Sequence, residues 1–183
     1  PRIDVFRNLK TRNSVRDARL FVAEGVTVVE RVLRSSLQVQ SVLVSDRKFA
    51  TCEPFLPPGV CVLRMRSELA DELVGFSFHC GVMACAVRPE NPDFEKWIPA
   101  KGRSLIVAAD RVVDPENAGA LIRIAAAFGA EGLIFGKGSA DPFSRRVLRV
   151  SMGNVLFLPI VETHDLPASL AELHRDRSFE ICG

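Results

Sequence analysis

Asn117, Gly119 and Arg123 sit in one stretch, Asp114-Pro-Glu-Asn117-Ala-Gly119-Ala-Leu-Ile-Arg123-Ile-Ala-Ala-Ala-Phe128-Gly129, whose residue types can hold and polarise a ligand. An asparagine amide both donates and accepts hydrogen bonds, and an arginine is a permanent cation with donors in a fixed fork. A glycine between them lets a backbone or a ligand come close. The stretch follows an apolar run, 104–109, that reads as a buried strand, and it opens a helix. In α/β sheets, ligands collect at the C-terminal ends of strands. Taken singly, Arg123 reads as a surface arginine and Asn117 as a polar helix-start residue, so the spacing carries the argument.

Other cations are grouped. Arg145, Arg146 and Arg149 fall on a predicted helix, with 145 and 149 one turn apart, and suit phosphate or a plain solvated face equally. Lys137 is a weaker candidate in the loop 136–142, which lacks the Gly-Lys-Ser/Thr ending of a P-loop. Residues 1–20 carry a net charge of +4. Within them Arg12, Arg16 and Arg19 are spaced to share one helix face, again either solvated or phosphate-contacting. The five cysteines form no Cys-x-x-Cys pair and the three histidines are scattered. They predict reduced thiols of a cytoplasmic protein and no metal site.

The elements that must position these residues alternate between helix and strand. Strands are expected at 20–23, 39–44, 60–63 and 81–87, with helices at 26–33 and 67–73. This is a small N-terminal α/β domain over 1–88. Prolines 89, 92 and 99 mark 89–103 as an extended linker, fairly stiff and without regular structure. From 104 the pattern is strand 104–109, helix 115–128, strand 131–135, helix 143–151, strand 155–161, helix 168–175 and a strand 178–182. That order predicts a parallel sheet. Leu121, Ile124, Ala125 and Phe128 are the expected sheet-facing stripe of the helix that carries Arg123. With 48% apolar residues there is material for a core, and the overall charge of +2 does not by itself imply nucleic acid. No run approaches the ~18 apolar residues of a membrane span. The chain starts at proline and stops inside a strand-like run, and so reads as part of a longer protein.

The spacing Asn-x-Gly-x-x-x-Arg-x-x-x-x-Phe-Gly after Asp114-Pro115 resembles the first motif of the SpoU (TrmH-type) RNA ribose methyltransferases of the SPOUT superfamily. Arg149-Val-Ser151-Met-Gly153 followed by Phe157-Leu-Pro159 resembles the family's next helix and strand. Asn8-Leu-Lys10, Phe21-Val-Ala-Glu24-Gly25 and Val42-Leu-Val-Ser45 resemble the ribosomal-protein-like RNA-binding domain that many members carry. The resemblance implies a SPOUT-type α/β knot domain over 104–183, truncated before the two later motifs that hold S-adenosylmethionine, so that cofactor residues lie beyond Gly183. It implies methyl transfer to a ribose 2′-hydroxyl, ribosomal RNA as the substrate more than transfer RNA, and a homodimer with no membrane association. Arg123 is implied as the catalytic residue, either as a base or by electrostatic stabilisation of the alkoxide, and Asn117 as its partner or that of the ribose. A non-catalytic RNA-binding and dimerisation protein, or an inactive fragment, is the alternative.

Overall fold

The computed structural model describes residues 3–9, 19–97 and 104–183. The first unit is a four-stranded mixed sheet built from β1 (Leu20–Glu24), β2 (Val39–Ser45), β3 (Val62–Met65) and β4 (Val82–Val87), in the order β1-β4-β2-β3. Strand β4 runs antiparallel to both neighbours, with Cys85 opposite Val22 and Ala84 opposite Val42, while β2 and β3 are parallel. Because side chains alternate across a strand, each central strand feeds two cores. Val42, Val44, Val82, Ala84 and Ala86 pack on one face with Val28, Val29 and Val32 of helix α1 (Val26–Arg34). Leu43, Met83 and Cys85 pack on the other, with Phe6, Phe78 and the apolar side of α3 (Ser67–Val74). Burial of both faces explains why β4 reads as an uninterrupted apolar run, Val-Met-Ala-Cys-Ala-Val.

The second unit is a three-stranded parallel sheet, β5 (Ile106–Ala109), β6 (Gly132–Phe135) and β7 (Ile160–Glu162), in the order β5-β6-β7. Helix α5 (Pro115–Ala127) connects β5 to β6, helix α6 (Arg145–Val150) lies between β6 and β7, and α7 (Leu166–Arg177) follows. The α/β class and the parallel second sheet agree with the sequence reading. One buried cluster runs through both units, from Phe21 and Val29 to Ile122, Leu133 and Leu148, so the two sheets share a core. Phe21 and Phe143 meet across the junction with ring centroids 5.3 Å apart.

Several boundaries differ from expectation. Helix α2 (Asp46–Cys52) follows β2 directly, where only a strand end was expected. The segment after Arg88 is not free of regular structure: α4 (Phe94–Trp97) lies in it, and the Trp97 ring covers Gly132 so closely that a Cβ there would sit 1.8 Å from it. The expected strand 155–161 is instead a 3-10 turn, Asn154–Leu156, and then the short β7. The cause is a reversal at Met152 and Gly153, whose φ angles are 54° and 77°. Residues 178–182 form no strand; the Phe179 amide donates to the Leu173 carbonyl oxygen at 3.1 Å, and the ring packs against the cluster of Ile134, Leu166 and Leu173.

The face of α5 also differs. The helix buries Ala118, Gly119, Ile122 and, of the predicted stripe, Ala125; Leu121 is half-buried, and Ile124 and Phe128 are left 52% and 78% exposed. The reason is the close approach of α6. A Cβ on Gly119 would lie 2.7 Å from Val150 Cβ and 3.1 Å from the Val147 carbonyl oxygen, so the smallest residue of α5 faces its neighbour helix. The turned-out stripe is still continuous, because Asn117, Leu121, Ile124 and Phe128 follow helical spacing.

Candidate functional site

Asp114 and Pro115 start α5 as their types require. Asp114 Oδ1 accepts from the Glu116 amide at 2.8 Å, and proline occupies a first-turn position that has no intrahelical acceptor for an N–H. This brings Asn117 to the first turn, at the C-terminal side of β5, with Arg123 further along the same helix. Both side chains are exposed. Six residues of helix separate them by about 9 Å along the axis and about 120° around it. They do not hydrogen-bond to each other, and among the described residues Arg123 has no ion-pair partner. Each is thus available to a ligand that spans the exposed side of α5.

The grouped arginines divide into two sets. Arg146, on the exposed side of α6, pairs with Glu116 of α5, and that hydrogen bond holds its proton more firmly than usual. Arg145 and Arg149 instead face the first unit. Glu24, at the end of β1 and only 8% exposed in its side chain, accepts from Arg145 Nη1 at 3.1 Å and from Arg149 Nη1 at 2.5 Å. Arg145 also donates to the Leu9 carbonyl oxygen at 3.1 Å and lies over the Phe76 ring. A carboxylate so buried needs such partners, because its desolvation is otherwise uncompensated. Arg19 is exposed and pairs with Glu90 at 3.3 Å. Arg12 and Arg16 lie outside the described residues.

Sequence reasoning missed the residues that fix the junction. Arg88, 18% exposed, bridges Asp141 at 2.6 Å and Glu162 at 2.9 Å and lies 5.0 Å from the Phe143 ring centroid. Asn91 hydrogen-bonds both the amide and the carbonyl of Glu162. On the other side Arg31 donates to the Met152 carbonyl oxygen at 2.6 Å and to Asn154 Oδ1 at 3.1 Å, holding the reversal that follows α6. All these contacts join segments far apart in sequence, so no local spacing marks them. A cleft of about 330 Å³ lies between the units, lined by Leu37, Pro89, Asn91, Phe143, Phe157 and Pro159 among others. Neither this cleft nor the one bordered by Glu24 and Arg149 includes Asn117 or Arg123 in its wall.

The cysteines are free thiols. Burial pushes the Cys85 thiol up to about 11, and also raises Cys52 and Cys80, so these three favour the protonated, unreactive form. Among the described residues, no three His, Cys, Asp or Glu side chains are placed to hold a metal ion, and no helix is long and apolar enough to cross a membrane.

Comparison with known proteins fits this architecture. Residues 104–183 match the SpoU rRNA Methylase family. Over 178 residues, 94% of this chain and 61% of the relative, it is 33% identical to an uncharacterized tRNA/rRNA methyltransferase of Mycobacterium tuberculosis. It is 29% identical to the 23S rRNA (guanosine(2553)-2'-O)-methyltransferase RlmP of Bacillus subtilis, covering 92% of this chain and 64% of that one. The AdoMet-bound rRNA methyltransferase from Sinorhizobium meliloti superposes with a TM-score of 0.74 at 25% identity, over 93% of this chain and 65% of that one. The chain thus spans less than two thirds of the length of these relatives.

Proposed function

We propose that this chain is the substrate-facing part of an S-adenosylmethionine-dependent RNA 2′-O-ribose methyltransferase that acts on ribosomal RNA. The observation that carries the reading is Asn117 and Arg123, both exposed on α5 at the strand end of the segment that matches the SpoU rRNA Methylase family. The methyl donor would supply an activated methyl group. The clefts described above do not enclose such a donor beside Arg123, so no step is assigned to residues that would hold it.

The part of the reaction that falls to this chain is electrostatic. A ribose 2′-hydroxyl must lose its proton as it attacks. Arginine, with a pKa above ~12, is a poor acceptor of that proton at neutral pH. A fixed guanidinium beside the oxygen stabilises the developing alkoxide and orients it, contributing in the range of ~10²–10³ in rate for a well-placed donor. Asn117, bonded among the described residues to neither Arg123 nor a neighbouring side chain, would orient the ribose.

A homodimer belongs to the same reading. Val113, Ile124 and Phe128 are 71%, 52% and 78% exposed, and the last two follow Arg123, one on its helix and one at the helix C-cap. An apolar stripe facing water beside a candidate site favours a second copy packed there. The experiment is transfer of labelled methyl from S-adenosylmethionine to ribosomal RNA by the full-length protein, followed by alkaline hydrolysis. An alkali-resistant methylated dinucleotide supports the reading, and label on a base contradicts it.

A further inference from the structure

The parallel register of β5 and β6 has a consequence beyond the ladder. Ala109 is opposite Phe135, and the Gly136 amide donates to the Ala109 carbonyl at 2.9 Å. Asp110 and Gly136 are therefore the next facing positions, and they touch: a Cβ on Gly136 would lie 3.3 Å from Asp110 Cα and 2.1 Å from its carboxylate. One residue further on each strand stand Arg111 and Lys137, both exposed. Two exposed cations thus stand in the loops just past the C-terminal ends of adjacent parallel strands, the first of them in the loop that leads to Asn117.

Both are held on ordered backbone. The Val112 amide donates to Ser139 Oγ at 3.2 Å, and the Ala140 amide donates to the Val112 carbonyl at 2.8 Å, tying the loop after β5 to the loop after β6. Arg111 has φ of 49°, the left-handed region that glycine occupies without strain and a long side chain does not. An arginine kept there against backbone preference, with 81% of its side chain exposed, contributes nothing to the core. Its one ion pair among the described residues is with adjacent Asp110 at 3.9 Å, and at such exposure that pair is weak. Lys137 has no ion-pair partner among the described residues. The other acids of this end are engaged: Asp114 caps α5 and Glu116 binds Arg146.

We propose that Arg111 and Lys137 together form a binding site for an RNA backbone phosphate, seating the strand whose ribose is presented to Asn117 and Arg123. This rests on the methyltransferase reading for what the bound RNA is presented to, but not for the binding itself. A phosphodiester suits a cation pair, whereas the methyl donor carries a cationic sulfonium that the pair would repel.

The test uses the full-length protein and a fluorescein-labelled hairpin RNA, with affinity followed by anisotropy across a potassium chloride series. Arg111→Gly, Lys137→Ala and the double variant are each expected to weaken binding, the double by roughly tenfold or more. Each cation removed is expected to lower the slope of log affinity against log salt by about 1. Arg111→Lys keeps the slope, while Arg111→Gly leaves the melting temperature unchanged or raises it by relieving the left-handed backbone. Methyl-donor affinity by calorimetry stays the same in all four. Unchanged RNA affinity and slope in the double variant overturn the proposal, as does a loss confined to methyl-donor affinity. A wild-type protein that binds the hairpin through these residues but does not methylate RNA contradicts the proposed function and leaves this site standing.

Discussion

Glu24 and Arg149 meet at 2.5 Å across the junction between the two sheets, one from the end of β1 and the other from α6. With Arg145 on the other carboxylate oxygen, a single buried acid anchors both arginines of α6 that lie one turn apart. The orientation of the first unit on the site-bearing unit is therefore fixed by charge as well as by the shared apolar cluster.

Glu24→Gln removes the charge but keeps the shape. It leaves two guanidinium groups facing a neutral, buried amide. Breaking a buried pair costs about 3–5 kcal/mol. Because Arg149 is 48% exposed and Arg145 28%, solvent takes up part of that, and a loss of about 1–3 kcal/mol is expected. Urea denaturation followed by circular dichroism measures it, and a change under ~0.5 kcal/mol, the level of an ordinary surface substitution, would show that the pair is unimportant to the junction.

Gly119→Ala tests the contact between α5 and α6. The added methyl would lie 2.7 Å from Val150 Cβ, so a helix must shift. Overpacking of this kind costs typically about 1–3 kcal/mol. The expected result is a lower denaturation midpoint, with the larger effect on methylation, since α5 carries both Asn117 and Arg123. The double variant Gly119→Ala with Val150→Ala is expected to recover part of the loss.

Phe128→Asp separates an interface from a bare surface. At 78% exposure the substitution has little to disturb within one chain. If a second copy covers the stripe, sedimentation velocity of the full-length protein shows a dimer that this variant converts to monomer. A wild-type monomer, or a variant that remains dimeric, removes the stripe from the interface.

Cys85 gives a pH dependence with a definite sign. Its thiol is raised to about 11 in the folded chain against 9.0 for the ordinary group, because burial disfavours the thiolate. The unfolded chain loses this proton first, so the contribution to stability is complete below pH 9.0 and is lost progressively as pH rises through about 11. Comparing denaturation of Cys85→Ala and wild type across that window should show the wild type losing more stability. In the native protein near neutral pH, exposed Cys182 is expected to react with a thiol reagent well before buried Cys85.

Much of this structure was legible in residue patterns, and the failures have physical causes. Strand β4 and helix α1 follow from apolar runs and helical spacing, and Asp114-Pro115 marked the start of α5 to the residue. The stripe Leu121, Ile124, Ala125 and Phe128 was visible as apolar, but the side the helix buries, which takes in only Ala125 of it fully, was not. That side is decided by α6 closing on Gly119, a contact between residues some thirty positions apart. Arg145 and Arg149 read as a cationic face, and only the fold shows that Glu24, 121 and 125 positions away, occupies them. Arg88 and Arg31 escaped notice for the same reason. Arg111 carried no local signal, since a positive φ is invisible in a sequence that places arginine where glycine would be at ease.

The central claim is that Arg123 acts on the ribose hydroxyl, and its most direct test is methyl transfer by the full-length Arg123→Ala variant to the RNA that wild type methylates. The expected result is loss of turnover by about 10²-fold or more, the effect of removing a donor aimed at developing charge. Hairpin RNA affinity should stay within about threefold, a change of less than 1 kcal/mol. Methylation at the wild-type rate by Arg123→Ala would contradict the assignment.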